Sequence, residues 1–182
     1  MDEIVKAALQ KWPTVPHCYG WLALDARGDW YLRDEPTQAA APFPQLKGSR
    51  IEHDGLREFI QRNYEADARG CWYFQNGPQR VYVELEAAPW VLRLQQVVGA
   101  APCWQLSTRD GRSASCRAAW LDEGGRLFLD CDVGFGLLHS LDMELAARAV
   151  EAGDWQPGEM PFARMPEHFG YVLRPCREGP GS

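Results

Sequence analysis

Asp130, Asp132 and His139 are the residues whose types and spacing could most directly do chemistry in this chain of 182 residues. Two carboxylates and an imidazole suit a hard divalent cation, and such a centre would make a metal-assisted enzyme. Both carboxylates share a face only if one strand runs through them, because side chains alternate along a strand. His139 must then fold back to meet them. The competing reading is a strand ending in solvated acids, with Asp132 near a helix N-terminus. It asks less of the chain.

Other reactive groupings are weaker. His17 and Cys18 are a base beside a nucleophile, but neighbours on an extended segment point to opposite faces. Their sequence context supplies no helix N-terminus or cation to activate the thiol. His53 and Asp54 read as a helix start, and His168 has no visible partner. Gly134-Phe135-Gly136 precedes a helix-like stretch, where backbone N–H groups can hold a phosphate. It lacks the Lys-Ser/Thr of a P-loop and the third glycine of the dinucleotide motif. A glycine pair allowing close strand-to-helix packing accounts for it. No residue is therefore assigned a catalytic role, no cofactor is expected, and a non-catalytic binding or regulatory module is favoured over an enzyme.

The six cysteines contain no Cys-x-x-Cys pair; the closest two, Cys103 and Cys116, are thirteen positions apart. That spacing excludes the usual zinc and dithiol redox motifs. The start of the chain carries Asp2 and Glu3, not a basic stretch leading into an apolar core, so no secretory signal is read. A cytoplasmic protein with reduced, structural thiols is the expectation.

Eight tryptophans are the more useful clue to function. Trp21, Trp30, Trp72, Trp90 and Trp120 fall in strand-like segments and read mainly as core. Trp12, Trp104 and Trp155 sit beside prolines or loops and are the candidate binding residues. Exposed tryptophans mark surfaces that take a protein, a small ligand or a second copy of the chain.

The composition bounds the class. Hydrophobic residues make up 46% and aromatics 12%, enough for a sizeable core. No apolar run approaches the ~18 residues of a membrane span, so no membrane partner is expected. The net charge of -6 divides evenly, with ten basic and thirteen acidic residues in 1–90 and nine and twelve in 91–182. Neither half is a basic domain, which argues against nucleic acid as a partner.

The elements that must position these residues follow from periodicity. A helix is predicted over 2–11, ended before Pro13. A hairpin follows at 20–24 and 29–33, then a proline-rich loop, exposed and variable in path. A helix at 54–66 places Leu56, Phe59, Ile60 and Tyr64 on one face. A hairpin at 71–75 and 80–85 turns at Asn76-Gly77, where positive φ is tolerated. Strands are predicted at 90–98, 103–107, 113–121 and 126–131. A second helix at 137–152 has Leu138, Leu141, Leu145 and Ala149 as its apolar stripe. Residues 154–170 read as irregular, and 171–174 as a last strand.

One pattern occurs twice: Leu24 to Leu32 and Leu121 to Leu129 are each a polar glycine turn between apolar arms. Such hairpins need a helix or a second copy to cover them. The fold class is α+β, with mostly antiparallel curved sheets built from repeated hairpins, each packed by a helix. Two halves are expected, 1–98 and 99–182, sharing one core.

The order of motifs resembles a proteobacterial family known only as a domain of unknown function. The resemblance is carried by Gly28-Asp29-Trp30, the helix near 54–66, Cys71-Trp72-Tyr73-Phe74, and Glu84-Leu85-Glu86-Ala87-Ala88-Pro89-Trp90. A glycine-containing entry to a helix between Val133 and Val150 completes it, over roughly residues 20–150. The chain departs from that pattern at Ala87, where the family has an acid, as a sister family would. The resemblance implies a repeated hairpin-and-helix fold with sheets like those of pleckstrin-homology domains. It implies no activity; a binding or signalling role follows only by fold analogy.

Overall fold

The computed structural model describes residues 1–12, 15–97 and 103–177. The chain divides into two compact units. The first comprises Met1–Asp25, Asp29–Glu86 and the C-terminal segment from Gly170; the second comprises Ala26–Gly28 and Ala87–Phe169.

The first unit opens with helix α1 (Glu3–Lys11) and continues through β1 (Cys18–Leu24), β2 (Trp30–Leu32), helix α2 (Glu35–Ala40) and β3 (Ser49–Arg50). Helix α3 (Asp54–Arg62) leads to β4 (Tyr64–Ala66), β5 (Trp72–Asn76) and β6 (Gln79–Leu85). The sheet order is β3-β2-β1-β6-β5-β4. Neighbours are antiparallel except the central pair, where β1 and β6 run parallel with Leu22 opposite Val83 and Leu24 opposite Leu85.

The second unit repeats this topology. Its strands are β7 (Trp90–Val97), β8 (Cys103–Thr108), β9 (Ser113–Ala114), β10 (Cys116–Leu121), β11 (Leu127–Cys131), β12 (Gly134–Leu138) and β13 (Gly158–Glu159). The order is β13-β10-β11-β12-β7-β8-β9. Again the first strand of one three-strand meander pairs in parallel with the last strand of the next, here β7 with β12. Helix α4 (Met143–Glu151) and the short helix α5 (Met165–Phe169) complete the unit.

The α+β class therefore holds and most neighbouring strands are antiparallel, but both sheets are mixed and open, each containing parallel pairing. The reason is topological. A hairpin forces antiparallel pairing only within itself, and each sheet joins two meanders through strands far apart in sequence. The internal repeat is likewise one of topology. Leu24 to Leu32 links β1 and β2, the first and second strands of their sheet. Leu121 to Leu129 links β10 and β11, which correspond to the fourth and fifth.

Local chemistry explains several boundaries. The helix predicted over 54–66 ends at Arg62, and Tyr64–Ala66 pairs with β5 instead. Asn63 makes the change: its amide donates to the Phe59 carbonyl at 2.9 Å while its own carbonyl accepts from Gln75 N–H at 2.8 Å. His53 caps α3, with Nδ1 accepting from Leu56 N–H at 3.1 Å. The predicted helix over 137–152 also begins later. Leu138 is buried in β12, and Leu141 lies in a 3-10 turn with 77% of its surface exposed. The buried residues of α4 are Ala149, which the predicted stripe includes, and Ala146, which it does not. Gly136 lies in β12, not at a helix entry; a Cβ there would sit 2.9 Å from Leu92 Cδ1. The glycine permits close approach between parallel strands.

The proline-rich loop is anchored rather than loose. Arg33, almost fully buried, pairs with Glu84 and donates through Nη2 to the Ala41 carbonyl at 2.7 Å. Arg174 Nη2 donates to the Phe43 carbonyl at 2.7 Å, and Phe43 is buried. Within the same unit Trp30 meets Tyr64 edge-on at 5.2 Å and Phe59 meets Phe74 at 5.5 Å. Residues 171–174 form no strand, although Leu173 O accepts from Leu85 N–H at 2.8 Å.

Candidate functional site

The acidic pair and His139 do not converge. Asp130 faces Arg117, whose Nη2 lies 2.9 Å from Oδ1. Asp132 turns back on the β11–β12 connection, where Oδ1 accepts from Ser115 N–H at 2.8 Å and Val133 N–H at 3.0 Å. His139 caps the 3-10 turn through Nδ1, accepting from Leu141 N–H at 3.1 Å. Among the described residues no three His, Cys, Asp or Glu side chains gather so as to hold a metal ion.

The three candidate tryptophans divide between the units. Trp12 belongs to the first unit and is 51% exposed, with Lys11 Nζ 4.5 Å from its ring centroid. Trp104 and Trp155 belong to the second and are half-buried. Asp154 links them: it accepts from Trp104 Nε1 at 2.7 Å and precedes Trp155 in the chain. Trp155 lines a cavity of about 550 Å³ with Trp120 and Cys116. Trp21, read from its strand position as core, is exposed instead. It joins Leu32 and Leu56 along an apolar groove of about 310 Å³ in the first unit.

A different cluster carries more chemical character. Arg27, Arg93, Arg109 and His139 line one cavity of about 320 Å³ in the second unit, together with Gln95 and Ser107. Strand alternation builds its floor. Val91, Arg93 and Gln95 are alternate residues of β7 and share a face, and Ser107 pairs with Arg93 across the ladder. Arg109 follows β8 and its Nη1 donates to the Arg27 carbonyl at 2.9 Å. Gly28 keeps that turn close, since a Cβ there would lie 3.2 Å from Val91 Cβ and 3.3 Å from Arg109 Nη1. The glycine also has φ of +78°, which a side chain would strain.

Asp142 fixes the central arginine. Arg93 Nε lies 2.6 Å from Asp142 Oδ2 and Nη2 lies 3.0 Å from Oδ1, a bidentate pair. Asp142 Oδ2 also accepts from Leu94 N–H at 3.0 Å. Burial works to raise the Asp142 carboxyl, but the Arg93 donors and the Leu94 N–H outweigh it and hold the carboxyl low. His139 is pushed the other way from charge. Burial first, and then Arg93, lower its pKa; Asp142 opposes them, while Arg109 and Arg27 add to the lowering. The ring is thus held neutral, with Nδ1 accepting and the proton on Nε2. Arg27, Arg93 and Arg109 thus bring three guanidinium groups to the lining of one cavity.

A family model described as "Protein of unknown function (DUF2946)" matches residues 1–176. The chain belongs to that family. Two crystal structures resemble the chain, both of DUF1285 family proteins. That from Silicibacter pomeroyi DSS-3 has a TM-score of 0.51 at 12% identity, covering 80% of this chain and 83% of its own. That from Shewanella baltica OS155 has a TM-score of 0.48 at 14% identity, covering 70% of this chain and 91% of its own. No curated protein matches the chain. The expected family of unknown function is thereby shown, and no catalytic role comes with it. Among the described residues no helix is long and apolar enough to cross a membrane.

The arginine cavity was missed at the level of sequence because its residues lie at 27, 93, 109 and 139. One signal was available. Arg93 and Gln95 interrupt the apolar run of β7 at alternate positions, which marks a polar patch on one face of a central strand.

Proposed function

We propose that this protein is a non-catalytic binding module whose second unit takes a small anionic ligand, a carboxylate or phosphate compound. The convergence of Arg27, Arg93 and Arg109 on one cavity carries this reading. Guanidinium groups recognise carboxylate and phosphate oxygens through paired N–H donors. Arginine dominates this chain's cations: three of its nineteen basic residues are lysines and sixteen are arginines. His139 supplies a further N–H at the rim while its cap fixes the ring. The cavity is of the size that holds a small metabolite, near the lower end of ligand pockets. The Asp142 pair holds Arg93 in place, so less side-chain entropy is lost on binding.

Calorimetric titration with inorganic phosphate, citrate and a neutral polyol tests the reading. Phosphate or citrate should bind and the polyol should not, with affinity falling as salt rises. Arg109→Gln and Arg27→Gln should each weaken binding about tenfold, the loss of roughly one charge-assisted hydrogen bond. Equal affinity in the variants, or no anion binding at millimolar concentration, would overturn it.

A further inference from the structure

We infer that Cys116 and Cys131 form a peroxide-reactive dithiol that closes reversibly into an intramolecular disulfide. The two residues are direct partners in the β10–β11 ladder. Residues opposed in an antiparallel pair have Cα atoms roughly 4.5–5.5 Å apart, within the roughly 4.4–6.8 Å that disulfides span. The register shifts between Cys116 and Ala118, so a bulge sets the local twist at this end of the strand. The Cys116 Sγ donates to the Ala118 carbonyl at 3.4 Å, which holds the side chain beside the bulge. Both are free cysteines.

The two sulfurs differ in access and reactivity. Cys131 is fully buried, at 0% exposure, whereas Cys116 is half-buried and lines the cavity of about 550 Å³ with Trp120 and Trp155. A small oxidant reaches Cys116 by that cavity. The neighbouring Cys131 side chain holds the Cys116 thiol below its ordinary pKa against the opposing effect of burial. The same pairing and burial push the Cys131 thiol up. Cys116 is therefore the attacking sulfur and Cys131 the resolving one.

With hydrogen peroxide as oxidant the chemistry balances. The Cys116 thiolate attacks one peroxide oxygen, the O–O bond breaks, and hydroxide leaves and takes up the thiol's proton as water. Cys116 is now a sulfenic acid. The Cys131 sulfur attacks the Cys116 sulfur, the S–O bond breaks, and the oxygen leaves as a second water with the Cys131 proton. Two thiols have lost two electrons and peroxide has gained them.

The wild-type protein supplies the primary test. Treated with peroxide and alkylated without reductant, it should lose two thiols per chain. Peptide mapping should join Cys116 to Cys131, and dithiothreitol should restore both. In Cys131→Ser the Cys116 sulfenic acid should persist and be trapped by dimedone. The inference fails if wild-type Cys116 goes on to sulfinic acid or links to Cys176 or another chain. It fails equally if both thiols survive peroxide that oxidises free glutathione, or if the variant gives no dimedone adduct at Cys116.

Discussion

Arg93 grips Asp142 with two guanidinium donors, at 2.6 Å and 3.0 Å, while the same carboxylate accepts the Leu94 N–H. One buried acid thus ties β7 to the start of α4 and aims an arginine into the cavity. The carboxyl is held below its ordinary pKa in the folded state. Such a group adds stability above its unfolded pKa, and that stability is lost as pH falls through the folded value. Acid unfolding should therefore be gentler in Asp142→Asn, whose stability at pH 7 should already be lower by about 1–3 kcal/mol. Urea denaturation at pH 7 and at pH 3 checks both halves.

Leu141 is the position where periodicity misleads. It falls on the apolar stripe predicted for 137–152, yet it is 77% exposed in the 3-10 turn. Leu141→Ala should change stability by less than about 0.5 kcal/mol. Leu129→Ala, at a fully buried position of β11, should cost about 2–5 kcal/mol through lost burial and the cavity left behind. Comparing their urea midpoints separates the two.

Turns were the most legible part of this chain, and the physical reason is local. Gly28, Gly77 and Gly125 all take positive φ at the hairpin connections predicted there. The β5–β6 turn falls on Gly77-Pro78, one residue beyond the predicted centre, with Asn76 paired to Gln79. Elements whose identity depends on distant partners were not legible. Gly134–Leu138 has the composition of a helix entry, but β7 lies alongside and makes it a strand. Tyr64 has helical spacing from Ile60, but β5 claims it. The parallel pairings and the arginine cavity join residues separated by sixteen positions or more. No local pattern encodes such meetings.

Gly136→Ala should destabilise although alanine has the better intrinsic propensities. Its Cβ would meet Leu92 Cδ1 at 2.9 Å and Trp90 Cβ at 3.1 Å, and both belong to the neighbouring strand. Overpacking of this kind costs about 1–3 kcal/mol. Gly111→Ala has open space around its Cβ. It should lose only about 1 kcal/mol, from the strain of φ +83°. Thermal unfolding of the two variants tests whether crowding or backbone strain dominates.

His139 reports on the charge of the cavity around it. Burial lowers its pKa first, then Arg93, with Arg109 and Arg27 contributing and Asp142 opposing. A histidine depressed in the folded state adds stability above its unfolded pKa and loses it as pH falls through the folded value. Protonation at Nδ1 would also break the cap on Leu141 N–H, so the turn and the titration are linked. Arg109→Gln removes one positive neighbour and should raise the His139 pKa. A phosphate bound among the arginines should raise it too, because a negative charge favours the imidazolium. NMR titration of the ring protons reads both shifts. If phosphate raises the pKa in the wild type and not in Arg109→Gln, anion and arginine act at one place. If phosphate leaves His139 unmoved while binding elsewhere, the cavity is not the anion site.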